Sequence, residues 1–425
     1  MNKIAIVGFG GAGYHAASEA RRRDPSARID VYADVDLGPS NPMLTTYYVK
    51  GAIPYDALFP FGPLEKITRE LNLNFYGKKP VTGLDAAART LRFADGSQAA
   101  YDNILISTGA SALVPPIPGI DLPGVVKMRT VADAVALKEA LDAGKIRSGL
   151  VIGASWVGIK VVEDLVERDI PCTLVDGAKW MFCVAAFEET ALRIHKDLEG
   201  KGVSLAFEQM LSSIEREPDG RLTAVMQSGR RFTADMVAVC IGVRPNVGFL
   251  KDSGLELGRA VRVDPGMRTS AEGVYAAGDC CEAIEKQSGV HKYVGVWANA
   301  GNQGRVAGAN MTGGREEFDA NILLNLAHYL HFDFISIGDV SACRPGDEVY
   351  EYEDETYYIR GVRRGADIQC VNLIGSAESN GILKNSLLKA FSSRPGQMDV
   401  ASACKLKEKG FPDSFIDFIG GKKLD

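Results

Sequence analysis

Lys3-Ile4-Ala5-Ile6-Val7 leads without interruption into Gly8-Phe9-Gly10-Gly11-Ala12-Gly13, and from Tyr14 the chain runs on to Arg23 with no further glycine and no proline. The first five residues read as a buried strand, the glycines as a turn and the following stretch as a helix. Asp24-Pro25-Ser26 breaks that helix, and Ile29-Asp30-Val31-Tyr32 reads as a second strand ending at Asp34, about 20 residues past the glycines. The order is βαβ, the unit from which parallel sheets are built.

Each glycine of a Gly-x-Gly-x-x-Gly turn has a mechanical reason. Gly8 allows the tight turn, Gly10 lets backbone approach a pyrophosphate, and Gly13 lets the helix pack closely on its strand. The pyrophosphate then sits on unpaired N–H groups at the positive end of the helix dipole. The same order returns at Leu150-Val151-Ile152, Gly153-Ala154-Ser155-Trp156-Val157-Gly158, a helix to about Arg168, and Cys172-Thr173-Leu174-Val175-Asp176. The chain therefore carries two dinucleotide-binding units. In the second, the middle glycine is Ser155, whose Cβ crowds the pyrophosphate approach. Asp176 ends its strand where a carboxylate takes the ribose 2′-hydroxyl and repels a 2′-phosphate, which favours NADH over NADPH; a solvated strand-end charge is the alternative.

The chain has 425 residues, more than the ~300 that one hydrophobic core sustains, so two or three packed units are expected. A composition of 46% hydrophobic and 24% charged residues excludes disorder. The net charge of −6 gives no electrostatic footprint for nucleic acid or an anionic membrane. No apolar run approaches the ~18–20 residues of a spanning helix, and the glycine-rich start has no signal-peptide pattern, so a cytoplasmic protein is expected. Eight scattered cysteines without a Cys-x-x-Cys pair are read as reduced thiols. The histidines show no metal spacing; His328 and His331 fall i,i+3 on a candidate helix, and no metal is expected.

Pro115-Pro116-Ile117-Pro118-Gly119 and the strand break at Gly242-Val243-Arg244-Pro245 mark where a second unit is inserted into the first. The expected organisation is a first domain at 1–112 and 243–320, an inserted domain at 113–242 and a third at 321–425. In the third, Glu348 to Glu353, Thr356 to Val362 and Asp367 to Ile374 read as an antiparallel meander, with a helix after Gly381. The fold class is α/β, two Rossmann-like domains plus a C-terminal α+β domain.

Ser107-Thr108-Gly109-Ala110 and the segment Thr269-Ser270-Ala271-Glu272-Gly273-Val274-Tyr275-Ala276-Ala277-Gly278-Asp279, joined to two such units, resemble the FAD/NAD(P)-linked pyridine nucleotide-disulfide oxidoreductase superfamily over nearly the whole chain. The resemblance implies that the first domain binds FAD and the inserted one NAD(P)H. The expected FAD residues are Gly8, Gly10, Gly11, Ala12, Gly13, Asp34, Thr46, Val81 (by its backbone, to adenine), Thr108, Gly109, Gly278, Asp279 (to the ribityl chain), Val296 and Trp297. The last two open a helix that resembles the one whose N-terminus points at the flavin pyrimidine ring. The expected NADH residues are Gly153, Ser155, Trp156, Val157, Gly158, Asp176 and Gly242. Asp279 also reads from position alone: an acid at the carboxyl edge of a sheet sits where open α/β folds bind ligands, unless it is only a turn or cap aspartate.

Asn41-Pro42-Met43-Leu44-Thr45-Thr46-Tyr47-Tyr48-Val49-Lys50-Gly51 is similar to a stretch of the ferredoxin, rubredoxin and putidaredoxin reductases. Three departures matter. No cysteine lies between residues 1 and 171, and Leu44 stands where a related branch carries one, so hydride transfer from NADH to flavin N5 is the expected chemistry. Cys280-Cys281 is either a redox pair or two packed small residues. The Lys and Glu that the resemblance places near N5 are Thr46 and Lys160 here. Lys160 and Thr46 are thus the candidate catalytic residues beside the flavin, Lys160 as a cation there, unless it pairs with Glu163 or Asp164 one helical turn on. Finally, the acid expected at the end of the first domain's second strand falls on Ala33, with Asp34 one residue late.

The reading is an FAD-dependent NADH oxidoreductase. Three destinations for its electrons are open: a redox partner protein of ferredoxin or rubredoxin type or an oxygenase component, a small molecule such as oxygen, a quinone or an organic substrate, or little turnover in an NADH-responsive signalling protein. Acidic partners would need a basic face, for which Arg21-Arg22-Arg23, Arg230-Arg231 and Arg360, Arg363 and Arg364 are candidates. The resemblance also implies a homodimer through the third domain.

Overall fold

A computed structural model of the chain describes residues 1–375, 385 and 400–420. The helix expected after Gly381 lies outside the described residues. The backbone divides into two compact units, one formed by Met1–Ser111, Arg129–Ala134 and Val243–Asn321, the other by Ala112–Met128, Val135–Gly242 and Ile322–Asp425. The inserted segment and the C-terminal segment thus share a unit. Four helices flank the glycine turns and the segments packed beside them: α1 (Gly11–Arg23), α2 (Trp156–Val166), α3 (Glu188–Gly200) and α4 (Trp297–Met311).

The first unit is built on a parallel sheet in the order Val274–Ala276, Asn103–Ile106, Lys3–Val7, Arg28–Tyr32, Leu73–Tyr76. Ile4, Ala5 and Ile6 are wholly buried, as expected of a central strand covered on both faces. Helix α1 begins at Gly11, before Tyr14, because the end of the glycine turn is already helical. It packs on α4 through small residues: a Cβ on Gly304 would run into the carbonyl of Ala12, and one on Gly308 into that of Ala16.

The second unit contains its own parallel sheet, ordered Ser204–Ala206, Cys172–Val175, Gly149–Ile152, Met236–Val239, Val125–Val126. Its C-terminal part is a five-stranded antiparallel sheet in the order Leu324–Tyr329, Phe332–Gly338, Asp367–Gly375, Tyr358–Arg364, Glu348–Glu353. The three meander strands are those the sequence predicts, the middle one shifted by two residues to Tyr358–Arg364. The apolar run after Asn321 supplies the other two, so His328 lies in a strand and His331 in the turn that follows, and neither stands on a helix. That turn is tight enough to drive Leu330 to a φ of +44°. Among the described residues no helix is long and apolar enough to cross a membrane.

Candidate functional site

In the first unit, Gly8 has a φ of +95° and a Cβ there would collide with the Ser107 carbonyl, while a Cβ on Gly13 would collide with the Gly8 carbonyl. Those two glycines are demanded by the backbone. Gly10 is not: its φ is −90° and, among the described residues, no atom lies within 4 Å of where a Cβ would stand. The space beside Gly10 opens at the N-terminus of α1, which has neither a side-chain cap nor an acid in its first turn. Uncapped N–H groups beside open space suit a pyrophosphate, so the residues present fit a dinucleotide here.

Around that turn the sheet presents the other expected residues. Gly278, at φ +83°, donates its N–H to Gln303 Oε1 at 2.8 Å. Asp279 forms an ion pair with Arg129, Nη2 to Oδ2 2.7 Å, and Arg129 Nε donates to the Ala110 carbonyl at 2.8 Å. Thr108 Oγ1 donates to the Asn246 carbonyl at 2.8 Å and its own carbonyl accepts from Asn246 Nδ2 at 3.0 Å. Val81 begins the strand Val81–Asp85, and Thr46 is buried in the short helix Thr45–Lys50. Asp34 is exposed just past the second strand, whereas Ala33 is buried. Val296 precedes α4, and the Trp297 indole lies against Gly11, with Phe61 and Tyr14 continuing an aromatic ladder.

Arg129, Asn246 and Gln303 were not singled out from the sequence. Beside Arg129 the sequence carries the local signal of a helix start, though none of its side chain's partner. Thr130-Val131-Ala132-Asp133 is a capping box: Thr130 N–H donates to Asp133 Oδ2 at 2.8 Å and Asp133 N–H to Thr130 Oγ1 at 3.1 Å. The same carboxylate takes the Arg129 N–H at 3.1 Å and so fixes the backbone from which its side chain reaches.

The second unit repeats the turn. Gly153 has a φ of +108° and a Cβ there would strike the Cys240 carbonyl, and one on Gly158 would strike that of Gly153. Ser155 fills the middle position by capping α2: its Oγ accepts the Gly158 N–H at 3.1 Å and donates to the Cys240 carbonyl at 2.7 Å. The Asp176 carboxylate is held by two backbone donors, Ala154 N–H at 2.6 Å and Ala178 N–H at 2.7 Å. Gly242, at φ +114°, faces open space, and Val157 is partly exposed. Trp156, the first residue of α2, stacks on Phe182 at 4.4 Å and on Phe334 at 5.2 Å.

Lys160 is buried. Its Nζ pairs with Glu163 and donates to the His328 carbonyl at 3.0 Å, while Glu163 Oε1 accepts the Leu330 N–H at 3.0 Å. The ammonium is thus tied to its own helix and to the hairpin of the C-terminal sheet. Next to it, burial pushes the Asp164 carboxyl up to about 8, Arg168 opposing, and neither of its oxygens has a hydrogen-bond partner among the described residues.

Cys280 and Cys281 are buried, Cys280 Sγ lying 3.3 Å from the Ile106 and Ala277 carbonyls, and burial raises both thiols. A thiol kept protonated in an apolar strand end is a poor nucleophile. Among the described residues no cluster could hold a metal ion. The arginine clusters are largely engaged: Arg22 and Arg23 with Glu19, Arg231 with Glu215, Arg360 with Glu189 and Glu351, Arg363 with Glu348, and Arg364 with Asp347.

Two glycine turns of this kind, each at the carboxyl edge of a parallel sheet, give the chain two candidate dinucleotide seats, the arrangement of a two-dinucleotide oxidoreductase. Residues 2–304 match the family described as pyridine nucleotide-disulphide oxidoreductase, and the chain belongs to it; FAD and NAD(P)H are the cofactors that this membership implies. The chain is 29% identical over 322 residues to an NADH oxidase of Methanocaldococcus jannaschii, covering 74% of this chain and 71% of that protein. It is 28% identical over 403 residues to the NADH-dependent phenylglyoxylate dehydrogenase subunit epsilon of Aromatoleum evansii, covering 92% and 93% of the two chains. Among solved structures, putidaredoxin reductase in its covalent complex with putidaredoxin superposes with a TM-score of 0.85 at 18% identity, covering 96% of this chain and 99% of that one.

Proposed function

We propose that the chain is an FAD-dependent NADH oxidoreductase that exchanges electrons with a protein partner. The observation that carries the nicotinamide assignment is Asp176, whose carboxylate is fixed by two backbone N–H groups at the end of the second unit's strand. Held there, it can accept the hydroxyls of an adenosine ribose and repels a 2′-phosphate, which supports NADH over NADPH. The uncapped α1 terminus and the open side of Gly10 suit the FAD pyrophosphate. Arg129 pairs with Asp279 and orients its carboxylate for ribityl hydroxyls, and Gln303 fixes the turn before it. When bound, FAD supplies a two-electron acceptor that can return electrons singly or in pairs. Lys160 acts in this reading as a positioning residue, since Glu163 and the His328 carbonyl already take its Nζ.

The partner-protein reading is supported by the relative aligned along nearly the whole of both chains, which is named as one subunit of a dehydrogenase. Reduction of oxygen or another small molecule is the second reading, favoured by the likeness to an NADH oxidase and by the engagement of the arginine clusters within the chain. The test is anaerobic titration of the purified holoprotein with NADH and with NADPH, followed by stopped-flow mixing with oxygen, quinones, ferredoxin and rubredoxin. Bleaching of the flavin by NADH at far lower concentration than by NADPH, and fastest reoxidation by an iron–sulfur or rubredoxin-type protein, is the expected result. Fastest reoxidation by oxygen selects the second reading, and a protein that takes up no flavin overturns both.

A further inference from the structure

The segment 177–187 joins Asp176 to α3 and borders the second unit's dinucleotide seat. It is tied to that seat from within: Ala178 N–H donates to Asp176, and Phe182 N–H donates to the Ala154 carbonyl at 3.1 Å. Its far side is tied to the C-terminal sheet. Ser336 Oγ donates to the Ala185 carbonyl at 2.6 Å, Asn372 Nδ2 donates to the same carbonyl at 2.9 Å, and Asn372 Oδ1 accepts the Phe187 N–H at 2.8 Å.

Ser336 and Asn372 face each other across adjacent strands, and Asn372 Nδ2 also reaches Ser336 Oγ at 3.2 Å. Both are buried, on strands whose alternate residues, Ile335, Ile337, Val371 and Leu373, belong to the apolar core of the sheet. A buried amide and hydroxyl are costly unless every bond is met, and here they are met by two main-chain groups of one loop. Valine or leucine would serve packing alone. Phe334, two residues before Ser336 and so on the same face, stacks on Trp156 at the start of α2 with an interplanar angle of 9°. Phe182 packs against both rings.

We propose that Ser336 and Asn372 are positioning residues for NADH: the C-terminal sheet holds the 177–187 loop, and through it the surroundings of Asp176 and Trp156, in the geometry that binds the dinucleotide. This rests on the second unit being the NADH seat. It gives the C-terminal sheet a part in nicotinamide affinity although none of its residues belongs to the glycine turn.

The test uses the flavin-loaded full chain. Asn372→Leu keeps a side chain of similar size and removes two loop bonds. The Kd for NADH and the KM for NADH should rise about tenfold, the flavin spectrum should be unchanged, and the rate at saturating NADH should fall less than twofold. Hydrogen exchange at the Phe187 amide should quicken. Leu373→Val, a neighbour on the opposite face, should lower the melting temperature and leave the Kd for NADH as it was, which separates positioning from general destabilisation. Should Asn372→Leu yield no soluble holoprotein, Ser336→Ala removes a single loop bond, together with the one Ser336 Oγ accepts from Asn372, and should raise the Kd about threefold. A variant that melts lower yet binds NADH within 1.5-fold of the wild type overturns the proposal, as does an equal loss in Leu373→Val. Wild-type protein that binds flavin and ignores NADH instead overturns the seat assignment on which it rests.

Discussion

Lys160 and Asp164 lie one helical turn apart on α2 and show how far single residues can be read. The spacing Lys160-x-x-Glu163 made an ion pair legible, and the pair exists. The depth of its burial was not, because the covering hairpin comes from residues 328–330, some 168 positions away in sequence. Arg129 and Asp279 are 150 apart, and nothing local announces their meeting. Asp164 carries a consequence of the same burial. Its carboxyl is pushed from 3.8 up to about 8, first by burial, with Glu163 adding and Arg168 and Lys160 opposing. Between those values the folded protein retains a proton that the unfolded chain has released, so this residue's contribution falls as pH rises from about 4 to about 8 and is level above. Asp164→Asn abolishes the titration. Its melting temperature should match the wild type below pH 4 and exceed it by a margin that grows to several degrees at pH 8. Parallel melting curves across that range would show that Asp164 titrates as an ordinary surface acid.

Among elements, the strand–glycine–helix units were the most legible because part of their requirement is local: at Gly13 and Gly158 the carbonyl of the turn's own first glycine, Gly8 or Gly153, occupies the place of a Cβ. The C-terminal sheet was less so. Leu324–Tyr329 and Phe332–Gly338 form one apolar run, and the turn between them uses Leu330 and His331 in place of the glycine or asparagine that usually marks a hairpin. The two kinds of glycine at the head of α1 should separate in experiment. Gly13→Ala forces a Cβ onto the Gly8 carbonyl and should destabilise the apoprotein by several kcal/mol or abolish soluble expression. Gly10→Ala meets no atom, so apoprotein melting should shift by less than about 2 °C, while FAD affinity falls at least about tenfold because the methyl group stands in the pyrophosphate's approach. Thermal melts of apoprotein and flavin titration measure both; equal losses of stability would mean that the open space beside Gly10 is not a ligand's.

For the whole molecule, the sequence made a charge-steered partner attractive, since arginines cluster at 21–23, 230–231 and 360–364. Folding spends much of that charge internally. Arg22 and Arg23 pair with Glu19, Arg231 with Glu215, Arg360 with Glu189 and Glu351, Arg364 with Asp347, and Arg363 is buried against Glu348 and the Phe418 carbonyl. A guanidinium already paired with a carboxylate adds little to the field beyond a Debye length of ~8–10 Å, and the chain as a whole carries −6. Association with an acidic redox protein should therefore gain little from long-range steering. Its rate of reduction by the NADH-reduced holoprotein should fall less than about threefold between 50 and 500 mM salt, where a steered pair loses far more. Stopped-flow reoxidation over that salt series decides it. A fall of more than about tenfold would require a basic face built from residues other than these clusters, and charge reversal at Arg244 and Lys251, which are exposed in the first unit, would then be the place to look for it.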